Sequence, residues 1–178
     1  EWASTNWARW RGNYVINFGN TTYGQTTKAG VTFRGAPFSF RRSSNLTDIK
    51  DGTNSTLMLA EVIVVSDTGA AWGGPISEAT HSTGGQTFEA WVTPNSRTFD
   101  DVARTCPPAS ALNGIPGCNL IGGTANVPDQ SFAARSLHSG GVHVTMCDGS
   151  GRFINNTIAL AVWRALSTSR GQEPVSEF

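Results

Sequence analysis

HSGGVHVTMCDG, residues 138–149, decides how the rest of the chain is read. Val142, Val144 and Met146 alternate with His143, Thr145 and Cys147, the period-two pattern of a strand that turns one face to a core. Asp148-Gly149 then supplies a tight reversal, because glycine accepts positive φ and an aspartate carboxylate bonds its own backbone. A second strand, Arg152-Phe153-Ile154, follows, so the segment is a β-hairpin with His138 at its far end, before the Gly140-Gly141 break. A strand of about six residues spans roughly 20 Å, which keeps His138 and Asp148 apart unless the glycines fold the histidine back along the strand. A loop-bonding histidine and a turn-shaping aspartate are therefore favoured over a catalytic dyad.

Working outward, Asn13 to Phe18 reads as a strand ended by Gly19-Asn20, and Val31 to Arg34 as another ended at Gly35-Ala36-Pro37. Asn45 to Gly52 reads as one helical turn, capped by Thr47 or Asn45 and closed by Gly52. Ser55 to Ser66 is a central strand, and Phe88 to Val92 resumes extended structure. The stretches 69–87 and 94–131 are mostly loop, of a length usually associated with binding or an interface. After the hairpin, Thr157 to Thr168 reads as a helix capped by Asn156, with Ile158, Val162, Ala165 and Leu166 as its apolar stripe, Trp163 beside it and Gly171 as its stop. The expected fold is α+β: a twisted antiparallel sheet with one C-terminal helix and long Gly/Ser/Thr-rich loops, in a single domain over residues 1–178.

Composition narrows the function. Thirteen basic and thirteen acidic side chains cancel without a run of like charge, which argues against a nucleic-acid partner. Charged residues are only 15% of the chain, against abundant Gly, Ser, Thr and Asn and six Trp, as in an extracellular or cell-surface protein. The longest apolar run, Leu57 to Val65, is broken by Glu61 and falls short of the about 18 residues that cross a bilayer. The sequence opens on Glu1 with no signal-peptide pattern, so an upstream portion is expected. Cys106 and Cys118 bracket a Pro- and Gly-rich loop, where a disulfide would contribute about 3 kcal/mol. Cys147 is left over, either as a small strand residue or as an intermolecular or metal-binding thiol. Asn20, Asn45, Asn54 and Asn155 stand in N-x-S/T acceptor tripeptides for glycosylation.

The common catalytic scaffolds are missing: the sequence has no G-x-S-x-G elbow, H-E-x-x-H, P-loop, G-x-G-x-x-G or paired C-x-x-C. His81, His138 and His143 lack zinc-ligand spacing. Calcium suits the oxygen-rich loops better, with Asp48, Asp51, Asp100, Asp101, Asp129 and Asp148 as the side chains to test, although none sits in an EF-hand loop. For Asp51 and Asp148, a turn-forming Asp before Gly is the competing explanation. Trp2, Trp7, Trp10, Trp72, Trp91 and Trp163 offer either sugar-stacking faces or core and interface anchors.

Four motifs in order carry a family resemblance: Gly12-Asn13-Tyr14-Val15 with Gly19; LTDIKDGTNST at 46–56, including Asp51-Gly52, leading to Glu61; His138 with Gly140-Gly141, Asp148-Gly149 and Arg152-Phe153-Ile154; and Ala165-Leu166-Ser167-Thr168. Together they resemble the bacterial pseudopilin-like family with a C-terminal His-x9-Asp-Gly signature, a domain of unknown function also labelled extracellular solute-binding family 10. The match runs over nearly the whole chain, though residues 69–131 correspond to nothing in it. It implies a type IV pilin-like head, ordinarily preceded by a cleaved leader and a long apolar helix that the present sequence does not contain. Asn54-Ser55 reverses the family's usual order, and Cys147 replaces a small residue.

The resulting expectation is a non-enzymatic structural subunit: a head that binds copies of itself in an extracellular filament or surface lattice, stabilised by calcium and glycosylated. The alternative is a secreted solute- or glycan-binding module. A hydrolase built on His138 and Asp148 is the third reading.

Overall fold

A computed structural model describes residues 12–40, 42–64, 86–97, 101–103, 118–120 and 130–175. Its centre is a five-stranded sheet in the order β3-β1-β2-β6-β7. The strands are β1 (Tyr14–Asn17), β2 (Leu57–Glu61), β3 (Thr87–Phe88), β6 (Gly141–Met146) and β7 (Gly151–Asn155). Two short strands, β4 (Asp101–Ala103) and β5 (Cys118–Leu120), pair in parallel as a separate ribbon. One helix, α1 (Leu160–Ser167), follows β7. The α+β class and the single C-terminal helix match the sequence reading. The sheet is mixed, however: β1–β2, β2–β6 and β6–β7 are antiparallel, whereas β3 lies parallel to β1. β3 runs opposite to β2 but on the far side of β1, and so lies parallel to β1; residues 62–86, far more than a hairpin turn, join the two.

The hairpin sets the register. Val142, Val144 and Met146 are buried while His143 is exposed, as the alternation requires. Asp148 Oδ1 accepts the Ser150 amide and hydroxyl at 2.8 and 2.7 Å, and Gly149 takes φ +87°, so Asp and Gly each do what the turn demands. The core joins one sheet face, through Val15, Leu57, Ala60, Phe88 and Ile154, to Trp163 and Leu166 of α1. Trp163 is fully buried and stacks on Phe88 with ring centroids 5.8 Å apart. Asn17 is buried too, donating to the carbonyls of Leu57 and Ser167, which pins β1 to β2 and to the end of the helix.

Five local expectations change. Val31 to Arg34 is not a strand; Val31 and Lys28 exchange backbone bonds around Ala29-Gly30, both at positive φ, in a tight loop. The extended stretch at 88–92 contracts to Thr87–Phe88. Asn156 does not cap the helix: the Asn155 side chain accepts Thr157 in a preceding turn, and α1 starts at Leu160 behind Ala159. The same helix ends at Ser167, before Gly171 is reached. The single turn near residue 45 is a 3-10 turn over Leu46–Asp48, with the Asn45 amide donating to Asp48 Oδ2.

Candidate functional site

The signature residues gather at opposite ends of the sheet. At one end, Asp51 reaches the tail of the chain: its Oδ2 accepts the Thr168 hydroxyl and the Gly171 amide at 2.9 and 2.8 Å, and its Oδ1 accepts the Gln172 amide at 2.7 Å. The Lys50 amide donates to Ser169, while Cys147 and Asp148 donate to Thr56 and Thr53. LTDIKDGTNST, the Asp148 turn and the Ser167-Thr168 tail are thus one clasp. The role of Asp51-Gly52 is to shape and close it.

The other end carries the more unusual chemistry. β1 places Tyr14 opposite Glu61, and β6 places His143 opposite Phe153 of β7. The β2–β6 register brings Ala60 against Val144, so Glu61 falls beside His143. Tyr14, Glu61, His143 and Phe153 therefore form a row across four strands, on the face away from the core. At Glu61 the ladder changes partner: the Glu61 carbonyl accepts Arg135, and the His143 amide donates instead to Glu61 Oε2 at 2.7 Å. Glu61 Oε1 accepts the Tyr14 hydroxyl at 3.3 Å and lies 3.2 Å from His138 Nε2.

The Gly140-Gly141 break thus does fold His138 back over the sheet, but onto Glu61 rather than Asp148. Its ring also meets that of His143 edge-on at 4.9 Å, and His143 meets Phe153 at 5.0 Å. Glu61 is 6% exposed, whereas Tyr14 and Phe153 are 42% and 45% exposed, so a nearly buried carboxylate floors an open aromatic row. The Tyr14 phenol is held above its ordinary value, by desolvation first and then by the charge and hydrogen bond of Glu61. Two adjoining cavities, of about 310 and 270 Å³, flank His138 and share Ile63, Arg135, Ser136 and Leu137.

The sequence reading named Glu61 and His138 as signature residues without pairing them. A carboxylate set inside the apolar run 57–65 was the available signal, since such a group needs a partner when buried. A second buried carboxylate, Glu89, was missed. It accepts the Thr87 hydroxyl and the Phe132 amide, and burial with this charge nearby raises the Tyr23 phenol.

Of the aspartates considered for calcium, Asp48, Asp51 and Asp148 have carboxylate oxygens engaged by the chain's own donors. No group of three metal-binding side chains occurs among the described residues. Asp101 lies in β4, and Asp100 and Asp129 fall outside the described residues. Cys106, and with it the Cys106–Cys118 pairing, also falls outside them, as do Trp2, Trp7, Trp10, Trp72 and His81. Among the acceptor asparagines, Asn45, Asn54 and Asn155 are exposed. Asn20 is buried, with its amide donating to Thr32, an arrangement that leaves no room for a sugar in the folded chain. Trp163 is core, and half-buried Trp91 has one face under the Arg164 guanidinium at 4.8 Å. Cys147 is a buried free thiol, pushed up to about 11 by burial and then by the Asp148 charge. No helix among the described residues is long and apolar enough to cross a membrane.

The family model SBP_bac_10, described as protein of unknown function (DUF1559), matches residues 2–161. No curated protein and no solved structure matches the chain.

Proposed function

The chain belongs to the DUF1559 family, and from that premise we propose that it is a pseudopilin-like structural head, without catalytic activity, that assembles with copies of itself at the cell surface or outside it. The observation that carries this reading is the open edge of β7. No strand pairs with that edge among the described residues. Backbone bonds at Met146–Ser150 and Gly140–Asn156 fix the β6–β7 alternation. Arg152 and Ile154 therefore turn their backbone groups inward, and Gly151 and Phe153 turn theirs outward. A second copy can meet this edge antiparallel about Phe153. Phe153 then faces its equivalent, and Arg152 faces Ile154 rather than another arginine, so no like charges oppose. Such a contact closes on itself, and a filament or lattice needs a second, different contact as well.

Support also comes from the signature acids: Asp51, Glu61 and Asp148 all receive donors from the chain itself, the behaviour of scaffold residues. Asp148 belongs to the opposite end of the sheet from the Glu61–His138 pair, where it shapes its own turn. Calcium and N-linked sugars at Asn45, Asn54 or Asn155 fit the same reading as stabilisers of the assembled surface.

Sedimentation and electron microscopy over a concentration series, with calcium and with a chelator, test it. The expected result is concentration-dependent assembly, reduced in Phe153→Pro, where proline removes an outward N–H that the β6–β7 ladder does not use. A chain that stays monomeric at high concentration with calcium defeats the proposal, as does undiminished assembly of the variant. The alternative, a glycan- or solute-binding module, has a specific observation in its favour: a cleft of about 370 Å³ lined by Phe33, Phe40, Arg42 and Arg170, with Phe40 44% exposed at its rim.

A further inference from the structure

The cavity beside Glu61 has a floor and walls of opposite character. Val62, Ile63, Val64 and Leu137 form an apolar wall, and Leu137 is 79% exposed. The floor is the Glu61 carboxylate, 8% exposed, which receives three donors: the Tyr14 hydroxyl, the His143 amide and His138 Nε2. Among the described residues its ion-pair partner is His138, whose side chain is itself 55% exposed. Two of these donors, the Tyr14 hydroxyl and the His143 amide, carry no charge, and the third belongs to an exposed ring, so the nearly buried carboxylate is open to a full cation in its place.

We propose that this cavity binds a primary ammonium group carried on a short apolar chain. The ammonium takes the place of the His138 imidazole at Glu61 Oε1, and the alkyl part lies along Val62, Val64 and Leu137. The site is independent of the β7 edge, so it stands or falls separately from assembly. Among the described residues, the titratable and charged groups around it are Tyr14 from β1, His143 from β6, His138 above it, Arg135 behind it, and Arg97 in the adjoining cavity. Arg135 donates through Nη1 to the Ser96 carbonyl at 2.7 Å.

The test is an NMR titration of the full chain with n-butylammonium chloride at about pH 8, with sodium butyrate as the anionic control. Saturable shifts of the His143 and Tyr14 signals with butylammonium alone are expected. Glu61→Gln, which keeps an acceptor and loses the charge, should abolish saturation. His138→Ala, which removes the group the ammonium displaces, should tighten butylammonium binding several-fold, and it keeps the proposal testable should Glu61→Gln fail to fold. Absence of saturation in the unmodified chain, equal response to butyrate, or unchanged affinity in His138→Ala overturns it.

Discussion

Replacing Asp51 by alanine removes the acceptor that holds the chain's tail against LTDIKDGTNST. Three donors lose their partner, and their surroundings decide what each loss is worth. Gln172 is exposed, so its amide turns to water at little cost. The Thr168 hydroxyl also lies 2.9 Å from the Ala165 carbonyl and can settle there. Gly171 is buried, and its N–H is left without an acceptor. An unsatisfied buried donor costs about 1–3 kcal/mol, with a further contribution of about 1 kcal/mol from the lost charge-assisted bonds at a partly exposed carboxylate. The sum, about 2–4 kcal/mol, lowers the melting temperature by about 4–16 °C for a chain of this length. Asp51→Asn keeps one acceptor and should lose about half as much. Calorimetry gives the total, and amide exchange gives the location: Gly171 should lose protection while the β6 amides keep theirs. A melting temperature within about 2 °C of the unmodified chain, with Gly171 still protected, would refute the assignment of Asp51 as the clasp.

Gly141→Ala should destabilise the hairpin by about 2–3 kcal/mol, because the added Cβ would overlap the Ile154 carbonyl oxygen and approach the Phe153 ring to 2.8 Å. At neighbouring Gly140 the same change meets open space and only the strain of φ +88°, about 1 kcal/mol, so the difference in urea midpoints reads the contact directly. Cys147 should resist alkylation in the native state at mildly alkaline pH and react on unfolding. Its folded pKa of about 11 lies above the ordinary 9.0, so its contribution to stability is complete below pH 9.0 and disappears as pH rises through about 11. Asp148 has the opposite sign. The Ser150 hydroxyl and amide hold its carboxyl below the ordinary 3.8, so its stabilisation is present above that value and is lost as acid protonates the folded group. Asp148→Ala should therefore flatten the acid limb of a stability–pH curve.

Much of this molecule was legible because its strongest patterns are local. Alternation at 142–146, the Asp148-Gly149 turn, and Leu166 and Trp163 on one helix face all depend on neighbours within a few positions, and the structure keeps them. What escaped was set at long range. The Glu61 partnership with His138, Tyr14 and His143 joins residues as much as 82 positions apart, and only the β1–β2–β6 register makes them neighbours. Val31 to Arg34 shows the converse: β-branched and aromatic residues suggest a strand, but positive φ at Ala29 and Gly30 turns Val31 back on Lys28 and uses the pairing locally. Asn156 lost the helix start because Asn155, one position earlier, captured Thr157 first.

The clasp at Asp51 also has a mechanical meaning. Residues 168–172 are held by hydrogen bonds to residues 34, 50, 51 and 56, the shortest of them at Asp51 and Lys50, while α1 is packed into the core before them. Tension entering from the C-terminal side would reach this latch before it reached the strands. In a single-molecule pulling measurement from that terminus, the tail should peel away first at low force with the sheet still intact, and weakening the latch with Asp51→Ala should erase that early step and leave the main rupture where it was.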